Sequence, residues 1–291
     1  MHIWPDCYPC ITKMFTKIAG IALNDEQIIR AFIDRVEAKK PAAPHEFKIT
    51  SPEIISRLWI IFSEISGIDD PLKEVKKRQN DIALQLYPLV KESLLKDQDP
   101  LSSAVKFSIT GNAIDIMTIA AEQPVEEIIK KLEGFVLDPA SAEQLKERLR
   151  NAKRIVFLGD NCGEIVFDKI LIETIRGYYG SDVVFIARTL PVLNDATLQD
   201  ALYTGMDGAT RTIENGIQQP LPGTIIGQLP QPLQELICES DLIISKGGGN
   251  YDTLSEEKGL DGRISFLLQA KCRPYATIFG APLGSPVILN A

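Results

Sequence analysis

Two regimes of apolar patterning meet near residue 150. Before it, apolar residues recur every three or four positions. Asp25 to Val36 is amphipathic, and Pro52 to Ile65 sets Ile54, Ile55, Leu58, Trp59, Ile61 and Phe62 at helical spacing. Asp70-Pro71 supplies an N-cap followed by proline at the first helical position, and the pattern runs on toward Leu95. Lys106 to Ala121, Pro124 to Leu132 and the charged stretch Ser141 to Ala152 read as further helices. No strand pattern interrupts this half.

Beyond residue 150 the pattern alternates. Short β-branched and aromatic runs fall at Arg154 to Gly159, Asp182 to Ala187 and Asp241 to Ser245, with a weaker one at Ala209 to Ile213 and a last at Tyr275 to Phe279. Helical stretches separate them at Ile165 to Tyr178, Leu198 to Thr204 and Leu233 to Cys238, and Gln218 to Pro232, rich in Pro, Gly and Gln, reads as a loop. Strands alternating with helices predict an α/β fold with a mainly parallel sheet covered on both faces. The expected division is a helical part over 1–150 and an α/β part over 151–291.

Composition narrows the function. The 291 residues carry 31 Lys+Arg against 39 Asp+Glu, a net charge of -8, which argues against a general nucleic-acid binder. No apolar run reaches membrane-spanning length and no secretory signal pattern opens the chain, so no membrane partner and a cytoplasmic location are expected. Only two histidines are present, His2 and His45, so neither a Ser-His-Asp triad nor a three-His zinc site has its raw material. Any catalytic metal must rest mainly on oxygen ligands. Five cysteines do not make a disulfide framework in a chain this size. Cys7-Tyr-Pro-Cys10 fits a structural role, half of a zinc site or a redox pair; a zinc site needs further ligands, and a thioredoxin-type pair should follow a strand.

In a parallel sheet, ligands bind beyond the carboxyl ends of the strands. The first run is followed by Gly159-Asp160-Asn161-Cys162-Gly163-Glu164. Asp160 and Asn161 offer adjacent hard oxygens, or else a turn and an N-cap. Glu164 is a candidate catalytic carboxylate at a helix start, where the helix dipole alone also explains it. The second run is followed by Arg188, whose planar fork suits a phosphate, and by Asn194-Asp195, an amide beside an acid that could simply cap the next helix. The fourth leads into Ser245-Lys246-Gly247-Gly248-Gly249-Asn250, where glycines free the backbone to approach an anion beside a lysine; a flexible surface loop is the competing reading. Lys271 precedes the last run, either at the site or as an ordinary solvated lysine. In the helical half, Lys73, Lys77 and Asn80 share a face that solvent alone could explain, and Asn112 and Asp115 form a polar pair in an apolar segment, placed to enter a shared site. With no spare histidine, the metal falls to Asp160, Asn161 and Asp195, a set suited to Mg²⁺ or Mn²⁺. Arg188, Lys246 and the amides around Gly247 are left for phosphate oxygens, which outlines a phosphoryl-transfer site.

These residues resemble a known family. Cys7-x-x-Cys10, Asp70-Pro71 with Lys73 and Asn80, Gly111-Asn112-x-x-Asp115, Gly159-Asp160-Asn161-x-Gly163-Glu164, Asn194-Asp195-Ala-Thr197, Lys246-Gly-x-x-Asn250 and Lys271 are similar, as an ordered set over most of the chain, to the metal-dependent damage-control phosphatases. Their fold is also called acidic-residue-methyltransferase-like, and the Cys pair resembles the prokaryotic and archaeal branch. The resemblance implies a three-layer α/β/α sandwich with a mainly parallel sheet plus an all-helical N-terminal domain. It implies a divalent metal, often Mn²⁺, Co²⁺ or Ni²⁺, at Asp160, Asn161 and Asp195, and substrate contacts at Lys246, Asn250 and Lys271. The implied substrates are small damaged or surplus phosphometabolites, including sugar phosphates. The chain departs from the pattern at Arg188, where a lysine is common. Rival readings are a carboxyl methyltransferase, a phosphometabolite- or metal-binding regulator without turnover, and a protein organised by Cys7 and Cys10. Trp4, Trp59 and scattered leucines leave a homo-oligomer open.

Overall fold

The computed structural model of the protein describes every residue except 24, 40–47, 112–129 and 131–132. Asn112 and Asp115 lie outside the described residues, as do the helix expected over Pro124 to Leu132 apart from residue 130 and residues 112–121 of that expected over Lys106 to Ala121.

Three helices open the chain: α1 (Cys7–Ala22), α2 (Glu26–Glu37) and α3 (Ser51–Ser66). Asp25 caps α2, and Thr50 with Glu53 forms a reciprocal capping box on α3. Their apolar faces close on one another around Phe15, Phe32, Trp59 and Phe62, with Phe32 and Phe62 edge to face at 5.3 Å. Trp59 is 1 % exposed, so it is core rather than part of a dimer surface.

Helices α4 (Lys73–Leu95), α5 (Pro100–Thr110) and α6 (Pro139–Asn151) share a different core. Leu86, Val90, Phe107 and Leu149 pack with Phe157, Phe185 and Leu267 of the sheet. The change of pattern at residue 150 is thus a change of secondary structure, while the hydrophobic core changes near Leu72. Asp70 does not cap α4 as its N-cap residue. The helix starts at Lys73, and the Asp70 carboxylate accepts from the Leu72 amide and pairs with Lys76.

The sheet comprises β1 (Arg154–Leu158), β2 (Asp182–Ala187), β3 (Arg211–Glu214), β4 (Leu242–Lys246), β5 (Ile264–Gln269) and β6 (Pro286–Asn290) in the order β3-β2-β1-β4-β5-β6. All pairings are parallel except β5 with β6. The two-residue period of each strand divides its side chains between faces. Ile155, Phe157, Val183 and Phe185 face α4 to α6 together with α7 (Glu164–Tyr179) and α8 (Leu198–Tyr203). Val156, Leu158, Val184 and Ile186 face α9 (Gln231–Glu239), α10 (Gly247–Leu254) and α11 (Arg273–Phe279). The result is the expected α/β/α sandwich with helices before it.

Tyr275 to Phe279, expected as a strand, is helix α11. Pro274 sits in its first turn and Gly280 ends it at φ +59°, a start and stop that override the β-branched composition. The fifth and sixth strands are β5 and β6, which the sequence pattern does not mark as strands, although Ile264-Ser-Phe-Leu-Leu is apolar enough for a strand buried on both faces. Helix α1 is likewise absent from the elements expected from sequence. The glycine run after β4 is the first turn of α10 rather than a surface loop.

Candidate active site

Strand order reverses between β1 and β4: from β1 the chain steps outward through β2 and β3, then returns to β4 on the other side. That reversal opens a crevice at the carboxyl ends of the strands. A cavity of about 400 Å³ lies there. Asp160, Asn161, Asn194, Asp195 and Lys271 all line it.

Two loops bring the first four together. The Asp195 backbone bridges Asn161, the Ala196 amide donates to the Asp160 carbonyl at 2.8 Å, and the Cys162 amide donates to the Asn194 carbonyl at 2.8 Å. Leu193, just before them, has φ +48°, alone among the described non-glycine residues in being positive. The tight turn that delivers Asn194 and Asp195 is therefore held in a conformation L-residues disfavour.

The side chains orient one another. Asn161 Nδ2 donates to Asp160 Oδ2 at 2.6 Å and to Glu164 Oε2 at 3.1 Å, which leaves its carbonyl oxygen as the free end. Arg188 Nε donates to Asp195 Oδ2 at 2.8 Å. Burial, then the charges of Asp195 and Glu164, push the Asp160 carboxyl well above the ordinary carboxylate range, against the pull of Lys271 and Arg188. Burial likewise raises Asp195 in spite of Arg188. Two buried carboxylates that repel each other beside an amide oxygen favour an added cation. Among the described residues no three His, Cys, Asp or Glu side chains gather closely enough to hold a metal by themselves. The set that fits a hard cation is two carboxylates and one amide.

Several expected substrate contacts lie behind the cavity wall instead. Lys246 is fully buried and donates to the Ser108 carbonyl at 2.7 Å and to Glu164 Oε1 and Asp168 Oδ1 at 2.6 Å each. All three ammonium hydrogens are spent, so Lys246 ties α5 and α7 to β4 and is not placed to bind phosphate. Burial opposes its charge, but Asp168 and Glu164 outweigh burial and hold its pKa above the ordinary lysine value. Asp168, missed from sequence, is raised to about 6 by burial. Glu164 sits beside Asp160 and Asp195 through Asn161 and faces Lys246.

Asn250 is also fully enclosed. Its amide donates to the carbonyls of Gly159 and Lys246, at 3.1 and 2.8 Å, and its oxygen accepts from Arg188 and Thr224. It staples the β1 and β4 exits together rather than meeting substrate. Arg188 is a brace as well. Beyond Asp195, its Nη1 donates to the Gly223 carbonyl at 2.8 Å, while Nη2 has no hydrogen-bond partner among the described residues and stands 4.0 Å from Asp160 Oδ1. Gly247 packs against Asp160 and does not line the cavity. Gly248 and Gly249, in the first turn of α10, do line it.

On α4, Lys73 and Lys77 are exposed, and the buried lysine is Lys76, missed from sequence, which is held by Asp70 and Asp200. Asn80 is buried, and its oxygen accepts from the Gly163 amide at 2.7 Å, anchoring the loop that carries Asp160 and Asn161. Cys7 and Cys10 open α1 with no strand before them, and both line the cavity with Cys272. Asp252 and Tyr275 complete its wall. The sequence signal for Asp252 was only its position two residues after Asn250.

A doubly wound sheet whose switch-point cavity gathers acids, an amide, a lysine and a helix N-terminus defines an α/β protein built for a small charged ligand. The chain belongs to the damage-control phosphatase ARMT1-like domain family, whose model matches residues 3–287. It is 32 % identical to a damage-control phosphatase of Archaeoglobus fulgidus over 99 % of this chain and 98 % of that one. It is 31 % identical to the damage-control phosphatase PH1575 of Pyrococcus horikoshii, over 100 % of this chain and 98 % of the relative. The crystal structure of that DUF89 family protein superposes with a TM-score of 0.87 at 28 % identity, covering 100 % of this chain and 99 % of the other. No helix among the described residues is long and apolar enough to cross a membrane.

Proposed function

We propose that the protein is a divalent-metal-dependent phosphatase acting on small phosphorylated metabolites, sugar phosphates among them, in a house-cleaning role. One observation carries the reading: Asp160, Asn161 and Asp195 converge on a cavity that also receives Lys271 and the N-terminal turn of α10. Membership of the phosphatase family and the names of its relatives support it.

Asp160, Asn161 and Asp195 would hold Mn²⁺, Co²⁺, Ni²⁺ or Mg²⁺, and such an ion supplies Lewis acidity at the phosphoryl group and lowers the pKa of water. The chain does the rest. The first-turn amides of α10, without helical acceptors of their own, and the Lys271 ammonium hold phosphoryl oxygens. Arg188 fixes Asp195 and offsets its charge, and Asn161 fixes Asp160, so that little reorganisation is needed as charge develops.

The test is phosphate release from p-nitrophenyl phosphate, sugar phosphates and nucleotides. Each is assayed after stripping with EDTA and re-adding each metal, beside Asp160→Ala. Turnover restored by metal and lost in the variant is expected. Silence with every metal, in folded protein, overturns the reading. The stereochemical course at a chiral phosphoryl group separates direct hydrolysis, with inversion, from attack by Asp160 through an aspartyl-phosphate, with two displacements and net retention.

A further inference from the structure

Cys7, Cys10 and Cys272 stand in the wall of the cavity, and the phosphatase reading gives them no task. All three are free thiols. The first two open α1 as Cys7-Tyr8-Pro9-Cys10. Helix geometry puts residues three apart on one face, with their Cα atoms about 5 Å from each other. A disulfide spans Cα separations of about 4.4–6.8 Å, so this pair can close without unwinding the turn.

The two residues between the cysteines hold that turn. Tyr8 is buried, and its hydroxyl donates to the Val36 carbonyl of α2. Pro9 fixes φ in the first turn, where its missing amide proton costs no helical hydrogen bond. The thiols differ in their surroundings. Cys10 is exposed at the cavity. Cys7 is half-buried against the core of the first three helices, and its sulfur accepts from the Trp4 amide at 3.3 Å. Burial raises the Cys7 thiol. Burial also raises Cys272, and the nearby Cys7, Asp252 and Cys10 add to the rise. Thiols held protonated react slowly. Cys10 is therefore the sulfur that a reagent entering the cavity meets first, with Cys7 held one turn behind it.

We propose that Cys7 and Cys10 form a thiol–disulfide exchange site in the cavity wall, at which Cys10 takes up a small organic disulfide and Cys7 resolves the product. Deprotonated Cys10 attacks one sulfur of the reagent. A bond forms between them, the reagent's own S–S bond breaks, and one thiolate leaves and takes up a proton. Cys7 then gives its proton to solvent and attacks the Cys10 sulfur, which releases the second half of the reagent as a thiol. The two protein thiols are oxidised to the Cys7–Cys10 disulfide, and the small disulfide is reduced to two thiols. Between the steps, the organic group on Cys10 stands in a cavity of about 400 Å³, room for one small ligand, and excludes any other. Closure of the pair clears the cavity.

The experiment incubates the reduced native chain with oxidised glutathione and maps its cysteines over time by peptide mass spectrometry. An adduct on Cys10 that gives way to a Cys7–Cys10 disulfide is expected. Cys238, exposed on α9 just before β4 and so at the end of the sheet away from the cavity, is the internal control and keeps its adduct. In Cys7→Ser the Cys10 adduct should persist at least tenfold longer, and Cys7→Ala repeats the test if the serine variant does not fold. No adduct on Cys10 while Cys238 is modified, a lasting Cys10 adduct in the native chain, or a disulfide to Cys272 in place of the pair overturns the proposal. Phosphate release by the Cys7→Ser adduct should fall at least tenfold and return with dithiothreitol; full turnover by the adduct would place Cys10 outside the ligand's space and overturn the exclusion. That arm alone rests on the phosphatase reading. If no ester is turned over with any metal, that reading fails separately and the cysteine map decides the exchange site.

Discussion

A β-carbon on Gly247 would lie 1.9 Å from Asp160 Oδ2. The first residue of α10 and the carboxylate after β1 thus occupy adjoining space across the switch point, and only glycine admits both. Gly247 also holds φ +77°. Gly247→Ala should therefore displace Asp160 and strain the turn together, the backbone part by about 1–2 kcal/mol. A displacement of about 1 Å in a reacting group lowers turnover by about 100-fold. The check is kcat/KM with the preferred metal, alongside thermal unfolding; full activity in Gly247→Ala would show that Asp160 is not held by this contact.

Arg188 is expected to matter more for the integrity of the site than for substrate affinity. Arg188→Ala leaves Asp195 buried without its partner, a loss of about 3–5 kcal/mol. Arg188→Lys keeps a charge but cannot span Asp195, Gly223 and Asn250 at once, so partial recovery is expected. Urea unfolding of the metal-free variants measures both.

Lys246 makes a similar distinction sharper. Lys246→Met should destabilise by about 3–5 kcal/mol because Glu164 and Asp168 stay buried without their cation. Replacing Asp168 by Leu in the same chain should recover part of the loss. If Lys246→Met instead left unfolding unchanged and raised KM alone, the lysine would be a phosphate ligand after all.

The buried acids set a pH dependence with a definite sign. Asp168 and Asp252 are raised by burial to about 6 and about 7, and Asp160 and Asp195 are raised as well. Between the unfolded carboxylate value and these folded values, the native chain holds more protons than the unfolded one. Its stability therefore falls as pH rises through that window. Melting of the metal-free protein should drop from pH 5 to pH 8. An added divalent ion should flatten the slope, because binding to the carboxylates displaces their protons. A melting temperature that rises over this range without metal would contradict the upward shift of these buried acids.

Much of the protein is legible in one dimension. The short continuous apolar runs of β1, β2 and β4 and the helical spacing of α2, α3 and α7 mark the elements. Asp160, Asn161, Asn194 and Asp195 are legible because a parallel sheet exposes whatever follows its strands. Lys271 was legible as one of two alternatives, a site lysine or an ordinary solvated one, and the cavity decides for the first. The tertiary structure alone decided which charged residues reach the cavity. Lys246, Arg188 and Asn250 carry groups able to bind phosphate, yet each is turned inward among neighbours distant in sequence, Ser108 and Asp168 for the lysine, Gly223 and Thr224 around the others. Asp252, Tyr275 and the three cysteines join the wall only because α1, α10 and α11 meet there. Local sequence sets backbone conformation through sterics and periodicity, whereas hydrogen-bond saturation and burial are properties of what long-range packing brings alongside each group.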